Sequence, residues 1–360
     1  MPLETITGLG LNTNSYPNVE PITYTPRPFT SNDVEIRVTA CGICGSDIHT
    51  ARDDWLPSQR PLIVGHEIIG IVETIGVDVK NVKVGDRVGV GPASGCCQSC
   101  FRCKTGYENN CRDIIFTYGS LRPDVKNTQQ GGYASHVRVQ SDFVFKIPDS
   151  IKDMYAAPLM CAGITSFAPL ILSNIKKNTK VGICGIGGIG HLSLLFAKAL
   201  KADVTAISSS NSKKQIVKQL GIDKYIDLSD NDVINKNADG FDVIVHTGFY
   251  LNDELLASLL EMLRPNGKLQ IITSAEPGQN VILPQWSMIL NNLNIGGNAA
   301  GSPEQIRQML TIAAKNNIRP MIETFPFNPQ GVKMAWQKMD SNAVRFRAVL
   351  VDFDKYFQQV

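Results

Sequence analysis

Four cysteines in one short stretch have the spacing of a metal site. Cys97, Cys100, Cys103 and Cys111 follow the pattern C-x2-C-x2-C-x7-C. The short steps wrap the backbone around one point and the longer step closes a tetrahedron of thiolates, the arrangement that structural Zn²⁺ prefers. The adjacent Cys96 is interpreted as a buried neighbour, because Cys97 preserves the even two-residue steps. A four-cysteine iron–sulfur site is the alternative, since its cysteine spacings overlap with these.

A second set of possible metal ligands is scattered along the chain. Cys44 lies in CGICGSDIH, His66 in GHE and Cys161 in LMCAG. A catalytic zinc needs about three protein ligands and an open position, and two thiolates with one imidazole provide such a set. Spacing alone does not bring these residues together. Cys161, like Cys41 and Cys184, is also compatible with an ordinary buried cysteine.

A glycine-rich motif stands between a strand-like and a helix-like segment. Gly185, Gly187 and Gly190 form G-x-G-x-x-G within GICGIGGIGH. Such glycines permit a tight turn and a close approach of the backbone to a pyrophosphate at a helix N-terminus. The alternative is a glycine-rich turn packed for steric reasons. The predicted phosphate-binding residues are Gly185, Ile186, Gly187, Gly188, Ile189 and Gly190.

The end of the next strand-like segment indicates which dinucleotide binds. An NAD site places an acidic residue about 20 residues past the glycines, to hold the ribose 2′-hydroxyl. Here the segment ends with Ser208, Ser209 and Ser210, followed by Lys213. Hydroxyls and an ammonium suit a 2′-phosphate, which a carboxylate would repel. The pattern favours NADP(H) over NAD(H), with a polar loop carrying solvated lysines as the alternative.

Length and composition predict a soluble protein of two domains. The 360 residues are 43% apolar and 19% charged, with a formal net charge of +2. Without a Lys/Arg-rich run, a nucleic-acid or membrane partner is not expected. The N-terminus lacks the pattern of a signal peptide, and we identify no uninterrupted apolar run of about 18–20 residues. Nine cysteines without an export signal indicate a reducing compartment, which we take to be the cytoplasm.

The order of strand-like and helix-like segments predicts an α/β fold. Short β-branched runs in residues 1–153 suggest a β-rich, barrel-like domain, with the cysteine lobe at about 95–113. Strand-like and helix-like segments then alternate over 154–299, which predicts a Rossmann-type parallel sheet. VRFRAVLVDF, within 300–360, reads as a strand that returns to the first domain.

Six motifs in this order resemble the zinc-dependent medium-chain alcohol dehydrogenases. They are CGICGSDIH, VGHEIIGIVETIG, the cysteine lobe, GGYASHVRV, APLMCAGITSF and GICGIGGIG, and they cover nearly the whole chain. The GCC doublet, GIGGIG and the ISSS ending are similar to the NADP-dependent cinnamyl alcohol dehydrogenase group, including its yeast members. The resemblance implies a GroES-like catalytic domain beside the Rossmann domain, two Zn²⁺ per chain and a homodimer formed through an edge strand.

The resemblance also implies roles for individual residues. It makes Cys44, His66 and Cys161 the ligands of the catalytic zinc. It makes Glu67 a carboxylate able to approach the metal when substrate is absent, and Asp47 the partner that orients a ligand.

Proton transfer, cofactor binding and substrate selection follow from the same resemblance. Ser46 and His49 stand where the family places its proton relay, and Thr165 stands at the cofactor. Trp55, Phe116 and Ala299 are expected near the substrate pocket. Phe116 replaces the Trp common in plant members and Ala299 replaces a large residue, so a wider pocket is expected.

These features lead to one preferred function and two alternatives. The preferred function is the reversible reduction of aldehydes to primary alcohols by NADPH, over a range that includes aromatic, cinnamyl-type and branched aldehydes. The first alternative is an NAD-dependent polyol or secondary-alcohol dehydrogenase of the same superfamily. The second is a catalytically silent cofactor-binding protein, for which a broken ligand set would be expected.

Overall fold

The computed structural model describes residues 1–119, 129–230, 232–273 and 280–359. The strands in chain order are β1 Ile6–Gly10, β2 Glu20–Tyr24, β3 Asp33–Ile43, β4 Glu67–Ile75, β5 Arg87–Val90, β6 Ala93–Gly95, β7 Ile115–Phe116, β8 His136–Gln140, β9 Phe145–Lys146, β10 Lys180–Cys184, β11 Asp203–Ser208, β12 Lys224–Asp227, β13 Phe241–His246, β14 Leu263–Ile271, β15 Asn294–Gly297, β16 Ile322–Pro326 and β17 Arg347–Val351. The α-helices are α1 Gly45–Ala51, α2 Phe101–Lys104, α3 Asp153–Pro158, α4 Ile164–Leu172, α5 Gly190–Ala199, α6 Lys214–Gln219, α7 Val233–Lys236, α8 Asp253–Glu261, α9 Gln285–Asn291, α10 Pro303–Lys315, α11 Pro329–Asp340 and α12 Phe353–Phe357.

The chain divides into two compact units. The first combines Met1–Cys161 with Ser302–Val360, and the second is Ala162–Gly301. The first unit extends through α3 to Cys161, past the expected boundary at residue 153, because α3 contacts β3, β4 and β17. The chain returns to the first unit at Ser302.

The first unit is built around a mostly antiparallel sheet. Its strand order is β16-β17-β3-β4-β5-β9, and β8 also pairs with β3. The 11-residue strand β3 is the longest and has most of its residues buried on both faces. β-Branched residues such as Val34 and Ile36 suit this position because their branched side chains pack well on a pleated surface. Trp336 and Tyr133 are among the largest side chains in the core.

The second unit contains a parallel sheet of six strands. Its strand order is β12-β11-β10-β13-β14-β15, with parallel pairing throughout. From β10 the chain builds outward through β11 to β12 and then crosses back to β13 on the other side. The carboxyl ends of β10 and β13 therefore form a topological switch point, where open α/β sheets bind ligands. The predicted combination of a parallel-sheet unit and a β-rich unit is confirmed.

One helical stretch has the length and composition of a membrane span. Asp153–Leu172 comprises α3, a π-helical turn at Leu159–Gly163, and α4. An 18-residue window within it has a mean hydropathy of 1.6, and 78% of that window is buried inside the protein. Its burial is that of a core helix, which passes the same test of length and composition.

Candidate metal centres and cofactor site

Four side chains of the first unit converge on one point. The ligand atoms of Cys44, His66, Glu67 and Cys161 all lie within 4.8 Å of one another. Cys44 is the N-cap of α1, His66 and Glu67 stand at the start of β4, and Cys161 lies in the π-helical turn. Gly65 permits this approach: its φ is +105°, and a Cβ there would lie 2.5 Å from the ring of Tyr133.

The imidazole of His66 is oriented as a metal ligand requires. Its Nδ1 lies 3.1 Å from Oδ1 of Asp47 and 3.1 Å from the hydroxyl of Tyr118. Its Nε2 is buried and has no hydrogen-bond partner among the described residues. Since the carboxylate accepts the proton on Nδ1, Nε2 keeps a lone pair for a metal.

Asp47 holds the ligand-bearing segments together. Its Oδ2 accepts from the backbone N–H of Cys44 at 2.8 Å, and its Oδ1 accepts from the backbone N–H of Gly65 at 3.1 Å. The hydroxyl of Tyr118 donates to the same Oδ1 at 2.5 Å. The carboxylate is completely buried, so these donors replace its lost hydration. One acidic side chain therefore positions both the loop before α1 and the loop before β4.

The two thiols of the cluster shift each other's pKa in opposite directions. The pKa of Cys44 lies well below its ordinary value because Cys161 donates a hydrogen bond to it, and His66 lowers it further against the effect of burial. The same hydrogen bond, together with burial, raises the pKa of Cys161. Metal ions bind cysteine as the thiolate. The lowered pKa of Cys44 favours this form, and Cys161 would lose its proton when the metal binds.

Glu67 is buried against a cation from the far end of the chain. Arg347 on β17 donates to Oε1 of Glu67 and to the carbonyl of Ile43 at 3.1 Å. Burial raises the pKa of Glu67 to about 8, although Arg347 acts in the opposite direction. Its Oε2 is buried and has no hydrogen-bond partner in the described part of the chain. The donor set, two sulfurs, one imidazole nitrogen and one carboxylate oxygen, fits Zn²⁺.

The predicted relay residues lie on α1. The hydroxyl of Ser46 donates to the sulfur of Cys44 at 3.0 Å, so it stands directly beside the cluster. Nδ1 of His49 lies 2.9 Å from Oδ2 of Asp54, and its ring stacks on Trp55 at a centroid distance of 4.9 Å.

The predicted pocket residues belong to different units. Trp55 and Phe116 lie in the first unit, the latter on β7, whereas Ala299 lies in the second. Within the first unit, Trp55 lies against the ring of His49.

The four-cysteine lobe has the spacing of a zinc tetrahedron. The sulfur–sulfur distances are 3.9 Å for Cys97–Cys103, 3.5 Å for Cys100–Cys103, 3.8 Å for Cys100–Cys111 and 3.4 Å for Cys97–Cys111. A tetrahedron with Zn–S bonds of about 2.3 Å requires about 3.8 Å between sulfurs, whereas a disulfide requires about 2.05 Å. Cys96 is buried, with its sulfur 3.5 Å from that of Cys103.

The glycine-rich segment of the second unit forms a tight turn between β10 and α5. Gly185 follows β10 with a φ of +93°. A Cβ on Gly190, the first residue of α5, would lie 1.9 Å from the carbonyl oxygen of Gly185. The turn therefore requires glycine at both positions, and the N-terminus of the 10-residue helix α5 follows it. Cys184, at the end of β10, is buried, as is Cys41 in β3.

The predicted 2′-phosphate residues lie at the end of β11. Ser208 is the last residue of that strand, and Ser209 and Ser210 follow it on the surface. Oγ of Ser210 accepts from the backbone N–H of Ser212 and so caps the helical turn Asn211–Lys213, which precedes α6. Thr165 is buried in α4.

Two residues that contact the side chains of this cluster were not among the predicted site residues. Tyr118 and Arg347 are separated from the cluster by long stretches of chain, and neither belongs to a motif. The signal for Arg347 was its position in VRFRAVLV, where an arginine interrupts an apolar strand. A cation on a buried strand requires a buried anion.

The chain matches two families of known proteins. Residues 30–149 match the alcohol dehydrogenase GroES-like domain, and residues 188–315 match the zinc-binding dehydrogenase domain. It is 38% identical to NADP-dependent alcohol dehydrogenase 6 of Saccharomyces cerevisiae over 93% of this chain and 92% of that protein.

Solved structures give the same result. A cinnamyl alcohol dehydrogenase of Sorghum bicolor superposes with a TM-score of 0.88 and 31% identity, over 96% of this chain and 97% of that one. The CAD of Helicobacter pylori, solved in complex with NADP(H), superposes with a TM-score of 0.85 and 29% sequence identity. The superposition covers 96% of this chain and 98% of that one. Together with the motifs, these matches show that the chain belongs to the zinc-dependent medium-chain alcohol dehydrogenases, in the cinnamyl alcohol dehydrogenase group.

Proposed function

We propose that this protein reduces aldehydes reversibly to primary alcohols with NADPH, using one of two zinc ions. The observation that carries the proposal is the convergence of two partly buried thiols with one buried imidazole, whose orientation Asp47 fixes. Its similarity to an enzyme named NADP-dependent alcohol dehydrogenase supports the choice of cofactor. A catalytically silent protein would not need to keep this ligand set.

The residues of the cluster have separate tasks. Cys44, His66 and Cys161 would hold the catalytic metal, and Glu67 offers a carboxylate beside them. When bound, Zn²⁺ supplies a Lewis acid toward the carbonyl oxygen, and NADPH supplies the hydride. Ser46 holds a proton on Oγ for the oxygen of the alcohol product.

His49 has the task of connecting this proton to solvent. Its ring pairs with Asp54 and stacks on Trp55, and it is partly exposed. A partly exposed imidazole in this position can pass a proton between the site and water.

The structural metal has a different task. Cys97, Cys100, Cys103 and Cys111 would hold it with four protein ligands and leave no position for substrate. It therefore supports the fold of the lobe rather than the reaction.

The substrate range follows from Trp55, Phe116 and Ala299. Two aromatic rings suit planar or branched apolar aldehydes, because aromatic faces bury a large apolar area. Phe116 and Ala299 replace larger residues of plant members, which leaves room for bulkier substrates than cinnamaldehyde. We therefore propose a broad specificity that includes benzyl, cinnamyl-type and branched aliphatic aldehydes.

We further propose that the protein is a cytoplasmic homodimer. β15 lies at the edge of the parallel sheet, so one side of it is open to pairing. Just before β15 in the chain, α9 exposes Trp286, Ile289 and Leu290 by 74%, 66% and 63%. A second copy, added by a two-fold axis at this edge, would cover the apolar side chains and continue the sheet.

A panel of aldehydes tests the proposed function. Benzaldehyde, cinnamaldehyde and a branched aliphatic aldehyde are assayed separately with NADPH and NADH, and the zinc content of the same sample is measured. We expect turnover of all three with NADPH, weaker turnover with NADH, and two zinc ions per chain. A preference for NADH with polyols would favour the alternative dehydrogenase, and a fully metallated sample inert toward every carbonyl compound would refute the proposal.

A further inference from the structure

His246 is a buried polar residue that has no role in the metal centres or the cofactor site described above. It is the last residue of β13, and only 1% of its surface is exposed. Its register partner on the neighbouring strand is Cys184, which directly precedes the glycine-rich turn at Gly185. His246 therefore stands at the switch point of the parallel sheet, where ligands of such sheets bind.

One nitrogen of this imidazole has no partner in the described part of the protein. Nδ1 is buried and has no hydrogen-bond partner there. Burial lowers the pKa of His246, although a hydrogen bond with the backbone of Tyr250 opposes this. A neutral ring that donates through Nε2 presents Nδ1 as a hydrogen-bond acceptor.

The ring also borders a cavity at the same edge of the sheet. The cavity is lined by His246 together with Phe249, Leu251, Ile271 and Thr273, among others. Its walls are largely apolar, so the imidazole is one of few polar groups that face it. A buried acceptor without a partner is unfavourable, so we expect a ligand in this cavity to provide the missing donor.

We propose that His246 is a positioning residue for the nicotinamide half of the cofactor. This inference rests on the proposed use of NADPH. Nδ1 requires a hydrogen-bond donor, and this half of the dinucleotide offers two kinds, the carboxamide amine and the ribose hydroxyls. The pyrophosphate is expected at the glycine-rich turn and the 2′-phosphate of the adenine half at the end of β11, so we expect His246 to contribute to the affinity of the nicotinamide half only.

Two substitutions of His246 distinguish the loss of the hydrogen-bond acceptor from a change in side-chain size. His246→Phe keeps a ring of similar size but removes the acceptor. His246→Asn places an amide oxygen near the position of Nδ1 and restores an acceptor. Dissociation constants of NADPH and of 2′,5′-ADP are measured by fluorescence and calorimetry for both variants, with zinc content and thermal unfolding as checks of folding.

We expect His246→Phe to bind NADPH about fivefold more weakly, as the loss of one neutral hydrogen bond predicts, with 2′,5′-ADP unchanged. His246→Asn is expected to recover most of the loss. Binding of the 3-acetylpyridine analogue of NADP⁺, which lacks the carboxamide amine, then identifies the donor: an unchanged affinity in His246→Phe indicates the carboxamide, and an equal loss indicates the ribose.

Unchanged NADPH affinity in His246→Phe would overturn the proposal, as would an equal loss of 2′,5′-ADP. Failure of the wild-type protein to bind NADPH at all would instead refute the proposed cofactor. The two failures are therefore distinguishable. A variant that unfolds is replaced by His246→Gln, which is judged by the same comparison of the two ligands.

Discussion

Asp47 shows how one carboxylate can determine the geometry of a metal site without binding the metal. It accepts hydrogen bonds from the backbone of Cys44 and Gly65, and it lies 3.1 Å from Nδ1 of His66. The two loops that carry Cys44 and His66 are therefore fixed relative to each other. Removing its charge would disturb both loops at once.

We predict that Asp47→Asn weakens zinc binding at the catalytic site by about 10- to 100-fold, because a partner that orients a ligand contributes about this much to affinity. The measurement is the zinc retained per chain against a competing chelator. Tyr118→Phe, which removes one donor and keeps the carboxylate, is the matched control with a smaller expected loss. Wild-type zinc retention in Asp47→Asn would contradict this role.

Ser46 is expected to matter for turnover and not for metal content. We predict that Ser46→Ala lowers kcat by about 10²- to 10⁴-fold, the usual contribution of a positioned proton donor, while both zinc ions stay bound. Steady-state kinetics and metal analysis check this on the same sample. Ser46→Thr, which keeps the hydroxyl, should recover part of the activity, and unchanged turnover in Ser46→Ala would remove this residue from the proton path.

At the scale of elements, the cysteine lobe tests the choice between Cys96 and Cys97. The structure groups Cys97 with the other three cysteines but also places the sulfur of Cys96 3.5 Å from that of Cys103. We predict that Cys97→Ser loses one zinc per chain and lowers the melting temperature, whereas Cys96→Ser keeps two. Metal analysis and calorimetry of the pair decide between the registers, and the reverse result would make Cys96 the ligand.

The end of β11 is the element that should select the cofactor. A carboxylate at Ser208, the last residue of the strand, would repel a 2′-phosphate and could accept from a 2′-hydroxyl. We predict that Ser208→Asp lowers kcat/KM for NADPH relative to NADH by about 10- to 100-fold, since hydrogen bonds to charged groups contribute about 1.5–3 kcal/mol. Ser258→Asp on α8 is the control, and an unchanged ratio in Ser208→Asp would place the phosphate elsewhere.

Some structural features could be predicted from local sequence patterns, whereas contacts between distant parts of the chain could not. The alternating segments, the glycine-rich turn and the cysteine spacing are local patterns, so the parallel sheet and the lobe could be read directly. The contact of Arg347 with Glu67 could not, because nothing local links residues so far apart in the chain. The extension of the first unit through α3 was also missed, since the packing of a helix against β3 and β17 leaves no separate mark in its sequence.

At the scale of the whole molecule, assembly is the property most open to test. We predict that Trp286→Asp combined with Ile289→Asp converts the proposed dimer to a monomer, because charges replace apolar side chains that are 74% and 66% exposed. Light scattering after size-exclusion chromatography measures the mass. Phe101→Asp, at an exposed apolar residue of the lobe, is the control that should leave the mass unchanged. A wild-type protein that is already monomeric would refute the dimer.

The discontinuous first unit has a consequence for biosynthesis. Cys44, His66 and Cys161 leave the ribosome early, but β17, which covers an edge of β3 and supplies Arg347, is made after the entire second unit. Until then the nascent chain holds Glu67 without its cationic partner. The second unit is inserted within the first, so it can fold before the last strand of the first unit has been synthesised. A chain that ends before β17 would therefore contain Cys44, His66 and Cys161, the proposed metal ligands, but would lack the strand and the arginine that pack against Glu67.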